Sequence, residues 1–156
     1  MKDQAGLETR LRAVEDQLEI QALAARFSDA VNERNIDAFS QLWASGNPIW
    51  EIGPPLNARA EGLEAIVELV RGLLLSQKYF MQLTHSGVVA IEGDRAIARF
   101  IEREHGKGDG TYYDCLAVYE DVVVREPKGW RFRERHYRYR FLDQEPFKGE
   151  AFPPSR

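Results

Sequence analysis

The sequence predicts an α+β domain in which helices come first and an antiparallel sheet follows. Apolar residues recur with helical spacing in the N-terminal half and alternate with polar residues in the C-terminal half, where short turns separate the alternating stretches. The chain has 156 residues, which is the length of one domain with one core. We therefore expect a single domain over residues 1–156, with an irregular tail from 143 to 156.

A long first helix is predicted over residues 7–35. Ile20, Leu23, Phe27 and Val31 recur at helical spacing and predict a face that packs on the core. A second row with the same spacing contains small apolar residues and one acid, namely Leu18, Ala22, Ala25, Asp29, Asn32 and Ile36. Two such rows predict that the helix lies between two layers, with the acid of the second row turned inward.

Shorter elements follow the first helix. Phe39, Leu42 and Trp43 predict a short helix, and residues 49–52 predict a short strand. Gly62 precedes a third helix with a broad apolar face, which is expected to pack flat on a sheet.

The C-terminal half predicts four long strands, at about 81–91, 95–105, 111–125 and 130–142. Short stretches rich in Gly, Asp and Pro separate them and predict hairpin turns. We expect the helices to cover one face of this strongly curved sheet, so that a conical cavity remains between the two layers.

Composition excludes several function classes. The formal net charge of -4 and the pI near 5.5 provide no basic patch for nucleic acid. Cys115 is the single cysteine, which excludes an intrachain disulfide. The charged N-terminal region does not resemble a signal peptide, and no apolar run has the length of a membrane span. We expect a cytoplasmic protein with neither a nucleic acid nor a membrane as partner.

His85 and Asp29 together predict chemistry. His85 shares strand parity with Met81, Leu83 and Val89, so it is expected to point inward. An isolated inward histidine is most simply a core residue whose ring bonds a backbone carbonyl. A carboxylate that holds one imidazole nitrogen instead leaves the other nitrogen to act as a general base. Both interpretations remain open, and an inward Asp29 favours the second.

Other polar side chains provide additional site candidates. Tyr112, Tyr113 and Tyr119 carry hydroxyls that suit a developing oxyanion. His105 lies on a strand in which neither face is cleanly apolar. The three histidines lack the tight spacing of a metal site, and no glycine-rich phosphate loop follows a strand. We therefore expect neither a metal nor a cofactor.

Several segments resemble the SnoaL-like branch of the NTF2-like superfamily, and the resemblance covers nearly the whole chain. The segments that carry it are Phe27-Ser28-Asp29, Asn35-Ile36-Asp37-Ala38-Phe39, Trp50-Glu51-Ile52, Glu92-Gly93-Asp94-Arg95-Ala96 and Gly129-Trp130-Arg131-Phe132. The resemblance implies a cone-shaped, cystatin-like α+β fold. This fold hosts polyketide cyclases, ketosteroid isomerases, scytalone dehydratase and a hexachlorocyclohexane dehydrochlorinase, so the site must decide the activity.

The resemblance also implies a site pattern. Asp29 and His85 fall where scytalone dehydratase and the dehydrochlorinase carry an aspartate and the histidine base. His105 matches a second histidine of the dehydratase. The chain departs from the pattern at Ser28, where the dehydratase has a tyrosine, and at Ala24, where the dehydrochlorinase has a lysine. Substrate identity is therefore not carried over.

These observations favour a cofactor-independent, dehydratase-like lyase that acts on a small, largely apolar or aromatic ring compound. Asp29 would orient His85, His85 would remove a proton, and His105 would assist the departing oxygen. The residues expected to bind substrate are Phe27, Trp50, Tyr112 and Tyr113. The alternatives are a ketosteroid-isomerase-like or polyketide-cyclase-like enzyme, or a non-catalytic small-molecule-binding or assembly module.

A homodimer or higher homo-oligomer is expected to form through the sheet. Tyr137, Tyr139 and Phe141 alternate along the last strand and are expected to point outward. Exposed aromatic side chains in a row are typical of a contact surface.

Overall fold

The computed structural model describes residues 2–108 and 111–146, and the predicted order of helices followed by strands is confirmed. The elements are α1 (Lys2–Asn32), α2 (Ile36–Ser40), β1 (Ile49–Ile52), β2 (Ala58–Glu61), α3 (Leu63–Leu75), β3 (Tyr79–Glu92), β4 (Arg95–Lys107), β5 (Thr111–Glu126) and β6 (Gly129–Pro146). Strand β2 was not predicted. Strand β6 continues through residues 143–146, so the predicted tail begins too early, and residues 147–156 lie outside the described residues.

All six strands of the described residues form one mixed sheet in the order β2-β1-β6-β5-β4-β3. Strands β3 to β6 form an antiparallel meander, whereas β1 pairs with β6 in parallel. Helix α1 lies against β3 and β6, and α3 lies against β2 and α2. The α+β prediction, with helices on one face of a mixed sheet, is therefore confirmed.

Helix α1 packs on the sheet with one face only. The predicted core row of Ile20, Leu23, Phe27 and Val31 is buried, as expected. The second predicted row is not inward, because Asp29 and its neighbours in that row are exposed or half-buried. The row that meets β3 is instead formed by Ala24, Ser28 and Asn32, whose polar atoms form hydrogen bonds with that strand.

An aromatic cluster closes one end of the cone. Phe27 lies at its centre, and Phe39, Trp43, Trp50 and Phe132 surround it with ring centroids 5.3–6.2 Å away. Edge and tilted ring contacts of this kind stabilise by about 0.5–1.5 kcal/mol each beyond the area that they bury. The cluster holds α1 and α2 on the sheet at this end of the cone. The other end of the cone is hollow.

Bulges decide which side chains point into the cone. In β3 the register with β4 slips between Thr84 and Gly87, which inserts one residue and reverses the parity of the strand. In β6 the residue Arg133 is inserted between the partners of Val122 and Val123. A third slip lies further along β6, opposite Leu116 and Ala117. Strand parity read along the sequence is therefore valid only between bulges.

Candidate active site

The hollow end of the cone is a cavity of about 350 Å³, which lies in the size range of small-molecule sites. Aromatic and aliphatic side chains form most of its wall, including Phe27, Val31, Trp50, Ile52, Val70, Leu73, Leu74, Phe80 and Leu142. The exposed residues Leu56, Ser76 and Gln144 also line it and mark its mouth. The wall and size suit a compact and largely apolar ring.

One carboxyl group, that of Glu104, is buried in the cavity wall. The Tyr113 hydroxyl donates to its Oε1 at 2.7 Å, and the Gln82 amide donates to its Oε2 at 2.9 Å. The Tyr137 hydroxyl lies 3.4 Å from the same Oε2. Burial raises the pKa of Glu104, and the three neutral donors oppose that shift. The proton-bound form of Glu104 is therefore more accessible than that of an exposed glutamate.

Gly106 makes room for the contact between Tyr113 and Glu104. The two residues Gly106 and Tyr113 are paired across β4 and β5, and the tyrosine ring crosses the strand at the glycine. A Cβ at position 106 would lie 2.2 Å from the Tyr113 Cε1, where no atom fits. Glycine at position 106 therefore leaves the space in which the Tyr113 ring lies, and this position of the ring directs its hydroxyl toward Glu104.

Tyr119 supplies a neutral donor at the floor of the cavity. The Trp50 Nε1 donates to its hydroxyl oxygen at 3.3 Å, so the hydroxyl hydrogen itself is not used in this contact. Burial raises the pKa of Tyr119, and the guanidinium of Arg135, 3.6 Å from the ring centroid, opposes that shift. Tyr119 thus remains protonated and can donate to an oxygen on a bound molecule.

Arg135 and Asp121 form an ion pair beneath that floor. Both side chains are fully buried, and the Arg135 Nε and Nη2 donate to the two carboxylate oxygens at 2.9 and 3.2 Å. The guanidinium also lies within 4.2 Å of the ring centroids of Phe27 and Phe132. Regular alternation along β6 would place Arg135 on the outer face. The pair was therefore not predicted, because the residue inserted at Arg133 turns the Arg135 side chain inward.

A second carboxyl group, that of Glu102, is fully buried behind the cavity wall. Its oxygens lie 2.9 and 3.2 Å from the Thr84 hydroxyl. Burial raises the pKa of Glu102 to about 8, although the charge of Arg135 and the contact with Thr84 act in the opposite direction. Glu102 therefore carries its proton at neutral pH.

A family model for the SnoaL-like domain matches residues 12–136. The chain belongs to the SnoaL-like domain family. The matched range includes both buried glutamates of β4 and nearly all of the cone. It confirms the resemblance on which the fold prediction was based.

Solved structures agree with the SnoaL-like assignment. An NTF2-like protein with a cystatin-like fold from Novosphingobium aromaticivorans is 28% identical over 88% of this chain and 90% of that chain, with a TM-score of 0.75. The hexachlorocyclohexane dehydrochlorinase LinA-type3 from Novosphingobium barchaimii is 17% identical over 94% and 99%, with a TM-score of 0.79. A candidate dehydratase of the NTF2-like family from Streptomyces avermitilis is 18% identical over 79% and 95%, with a TM-score of 0.70. No curated protein matches the chain.

Three of the four residues predicted to bind substrate line the cavity of this SnoaL-like domain, namely Phe27, Trp50 and Tyr113. Tyr112 is absent from the cavity wall. Its hydroxyl meets the His105 Nδ1 at 2.5 Å, and the two rings stack with centroids 5.9 Å apart. The alternation of β5 explains the difference, because consecutive residues of a strand point to opposite faces.

The predicted inward orientation of Asp29 and His85 is wrong. Both side chains are exposed, and neither belongs to the cavity wall. In β3 the bulge after Thr84 places Gln82 and Thr84 on the inner side and His85 on the outer side. In α1 the inward position beside that strand is occupied by Ser28. The catalytic role assigned to the pair stays a prediction.

His105 lies on the face of β4 opposite Glu104. The strand alternates between exposed and buried residues from Arg95 to Glu104, with Glu104 on the buried side. The His105 Nδ1 lies 3.7 Å from the Asp114 Oδ1, and the side chain keeps 21% of its exposure. His105 does not line the cavity, and its predicted assistance to a departing oxygen stays a prediction.

Glu102 and Glu104 were missed, although the sequence contains a signal for them. Ala96, Ala98 and Phe100 are the buried residues of β4, and the two glutamates continue the same alternation. Two acids on the same face of a strand as a row of apolar residues indicate a site, because carboxyl groups are rarely buried unless they are paired or functional.

Two of the three aromatic residues expected on the outer face of β6 point inward. Tyr137 is 3% exposed and Tyr139 lines the cavity, whereas Phe141 is 50% exposed. The bulge at Arg133 reverses the parity of the first two. The expected contact between copies of the chain therefore loses most of the side chains on which it was based and stays a prediction.

Within residues 2–108 and 111–146, no group of three or more His, Cys, Asp and Glu side chains is arranged to hold a metal ion. Over the same part of the chain, no helix has the length and apolar character needed to cross a bilayer.

Proposed function

We propose that this protein is a proton-transfer enzyme, a lyase or an isomerase, in which Glu104 is the general base. The observation that carries the proposal is a buried carboxyl group in the wall of a hollow apolar cavity, whose hydrogen-bond donors within residues 2–108 and 111–146 are all neutral. A base is most effective when its pKa lies near the working pH, and burial shifts the pKa of Glu104 in that direction.

The donors around the cavity suit the charge that such a reaction develops. When Glu104 removes a proton from a carbon next to a carbonyl group, the electron pair moves to the carbonyl oxygen. The Tyr119 hydroxyl can donate to that oxygen, and Tyr139 provides a second hydroxyl in the same wall. Fixed donors of this kind stabilise a developing enolate without first having to reorient.

The two reaction types differ in the second step. In an isomerase, the protonated Glu104 returns its proton to another carbon of the same substrate. In a lyase, the electron pair expels a leaving group. A departing hydroxide takes the proton that Glu104 has just removed and leaves as water, whereas after loss of chloride Glu104 releases its proton to solvent.

A compact and largely apolar ring compound is the substrate class that the wall supports. Aromatic side chains dominate the wall, and polar groups occur at a few points only. Fold relatives include a hexachlorocyclohexane dehydrochlorinase and a candidate dehydratase, whose names concern elimination reactions. At identities of 17% and 18%, these relatives support the fold and leave the reaction to experiment.

Solvent exchange tests the base without knowledge of the natural substrate. The purified protein is incubated in D2O with a panel of cyclic ketones and cyclic β-hydroxy ketones, and deuterium incorporation and water loss are followed by proton NMR. We expect exchange with the wild type and a loss of about 10²–10⁴-fold in Glu104→Gln, the usual contribution of a general base. The matched control is Glu120→Gln, an exposed glutamate on β5.

Other outcomes would assign the protein differently. Exchange that survives Glu104→Gln but is lost in His85→Ala or Asp29→Asn would favour the dyad predicted from the sequence. Binding of ring compounds without exchange in any variant would favour a non-catalytic binding module. Products that have lost water would identify a lyase, and rearranged products would identify an isomerase.

A further inference from the structure

A chain of hydrogen bonds connects the two buried glutamates of β4. The Gln82 amide contacts Glu104 at 2.9 Å and the Ser28 hydroxyl at 3.0 Å. The Ser28 and Thr84 hydroxyls are 2.5 Å apart, and Thr84 lies 2.9 Å from Glu102. We call Gln82, Ser28 and Thr84 the bridge. It runs from the cavity wall to the buried space between α1, β3 and β4.

The bridge has fewer hydrogens than contacts. Four contacts join the five groups, but each hydroxyl has one hydrogen and the amide directs one N–H toward Glu104. Three hydrogens therefore serve four contacts, and the fourth must come from a carboxyl group. With both glutamates ionised, two of the bridge oxygens would face each other without a hydrogen between them, a costly arrangement in a buried site.

We propose that Glu102 and Glu104 hold one proton between them at neutral pH. In the resting protein this proton lies on Glu102, which acts through the bridge as a positioning residue and keeps Glu104 ionised. The inference rests on the proposed function, in which Glu104 is the base.

The direction of the bridge follows from the location of the proton. A protonated Glu102 donates to Thr84, Thr84 to Ser28, and Ser28 to the Gln82 Oε1. The Gln82 Nε2 then donates to Glu104, as its orientation in the structure requires. Moving the proton to Glu104 would require every donor to reverse and the amide to rotate. Protonation of one glutamate thereby favours ionisation of the other.

The surroundings favour the proton on Glu102. Glu104 faces three donors, those of Gln82 on β3, Tyr113 on β5 and Tyr137 on β6. In the described part of the chain, Thr84 is the one hydrogen-bond donor that faces Glu102. Burial raises the pKa of Glu102, and the negative charges of Asp121 and Glu104 raise it further.

Charged and titratable groups also surround the pair from the other strands. The charge of Arg135 on β6 lowers the pKa of Glu102 and is itself paired with Asp121 on β5. Cys115 on β5 contacts the Tyr137 hydroxyl at 3.3 Å. Helix α1 contributes Ser28 and Asn32, which do not titrate. The one cation that faces Glu102 is thus already committed to another carboxylate among the described residues.

Carbon-13 NMR of glutamate labelled at the side-chain carboxyl group tests the shared proton in the resting protein. The resonances of Glu102 and Glu104 are assigned with the Glu→Gln variant at each position. We expect one ionised and one protonated carboxyl group at neutral pH. Glu104 takes up a proton only after Glu102 already holds one, so Glu102→Gln, whose amide can donate to Thr84 permanently, should leave the titration midpoint of Glu104 nearly unchanged. In Glu104→Gln, by contrast, the titration midpoint of Glu102 should fall by about one pH unit or more, as for coupled sites.

Variants of the bridge distinguish coupling through its hydrogen bonds from direct electrostatic coupling between the two glutamates. Ser28→Ala removes the central hydroxyl, so Glu104→Gln in that background should shift the Glu102 midpoint by less than half as much. Thr84→Ala interrupts the bridge at the next contact and provides a second test in case Ser28→Ala does not fold. Glu120→Gln, on the exposed side of β5, should leave both resonances in place.

Three results would overturn the proposal. The first is that both carboxyl groups have the same protonation state at neutral pH. The second is that the Glu102 midpoint does not change in Glu104→Gln, and the third is that its change is equally large without Ser28. The titration does not depend on turnover, so failure of the exchange assay would remove the proposed base and leave this measurement valid.

Discussion

Two buried carboxyl groups on the inner face of the same sheet, those of Asp121 and Glu104, have opposite surroundings. Asp121 is 1% exposed and Glu104 is 9% exposed. Asp121 receives two charged donors from Arg135 at 2.9 and 3.2 Å. Glu104 receives donors only from two tyrosines and a glutamine.

The space around the two groups differs as well. The Arg135 guanidinium that holds Asp121 lies 3.6–4.2 Å from the ring centroids of Tyr119, Phe132 and Phe27, and neither Arg135 nor Asp121 lines the cavity. Glu104 borders the cavity of about 350 Å³. One end of the cone is filled and the other is hollow.

The different donors suit Asp121 to a structural role and Glu104 to the reactive role proposed for it. Burial raises the pKa of Asp121 as it does that of Glu104, but the Arg135 cation at hydrogen-bond distance opposes the shift and stabilises the ionised form of Asp121. Neutral donors stabilise the ionised form of Glu104 less strongly, so this group can take up and release a proton. Removing either carboxyl group should therefore affect different properties of the protein.

Breaking the ion pair should have the largest effect. Arg135→Met leaves a buried carboxylate without a cation, which should lower the free energy of unfolding by about 4 kcal/mol. Glu104→Gln should change it by less than about 1 kcal/mol, because neutral donors remain in place. Urea unfolding measures both. The double variant Arg135→Met/Asp121→Leu should recover most of the lost stability. Equal losses of stability in Arg135→Met and Glu104→Gln would contradict the comparison.

Stability should also depend on pH through Glu102. Its pKa is raised from 4.5 to about 8 in the folded protein, so the folded state binds this proton more tightly than the unfolded state. The stabilisation is complete below the unfolded pKa and is lost as pH rises through the folded pKa. From about pH 5 to about pH 7.5 the free energy of unfolding should fall by about 3 kcal/mol.

Glu102→Gln checks the source of this pH dependence. The variant lacks the titrating group, so urea unfolding across the same pH range should show a much flatter profile. Glu120→Gln, on the exposed face of the sheet, should retain the wild-type slope. A wild-type slope in Glu102→Gln would assign the effect to another group.

A smaller effect is expected from filling the space at Gly106. In Gly106→Ala the new Cβ would lie 2.2 Å from the Tyr113 ring, so the ring must move and its hydroxyl should leave Glu104. We expect a loss of about 2 kcal/mol of stability from overpacking and a roughly tenfold slower exchange of the ketone panel.

Gly72→Ala is the matched control for this change. A Cβ at Gly72 in α3 would meet nothing within 4 Å, and alanine favours a helix by about 1 kcal/mol over glycine. Thermal unfolding and ketone exchange should show a small gain in stability and unchanged exchange. If Gly106→Ala and Gly72→Ala exchange the ketone panel at the same rate, the position of the Tyr113 ring does not affect proton transfer by Glu104.

The smallest effects are expected at the residues that the sequence favoured. Asp29→Asn and His85→Ala alter exposed side chains, so stability should stay within about 0.5 kcal/mol of the wild type. Exchange of the ketone panel should be unchanged in both. A loss of exchange with intact stability would return the catalytic role to this pair.

Most of the fold could be predicted because it depends on periodicity and turns. Helix α3 begins directly after Gly62, and strand β1 spans the expected residues 49–52. The strands β3 to β6 followed from alternation between short turns. Strand β2 was missed because its four residues, Ala58–Glu61, contain no apolar row.

The site was harder to predict because bulges reverse the parity of a strand. Alternation along β3 and β6 would place His85 inside and Arg135 outside, whereas one inserted residue in each strand produces the opposite. Strand β4 has an unbroken alternation, so Glu102 and Glu104 could have been identified from Ala96, Ala98 and Phe100. A register slip depends on the neighbouring strand and leaves little trace in the sequence.

Labelling with styrene oxide, a compact aromatic epoxide, tests the reactive carboxyl group most directly. A carboxylate oxygen attacks an epoxide carbon, the ring C–O bond breaks, and the resulting alkoxide takes a proton to give a hydroxy ester. Peptide mass spectrometry should find the ester on Glu104, with none on Asp121 and no label at position 104 in Glu104→Gln. An ester on Asp121, or labelling confined to exposed carboxylates while Glu104 stays unmodified, would contradict the account.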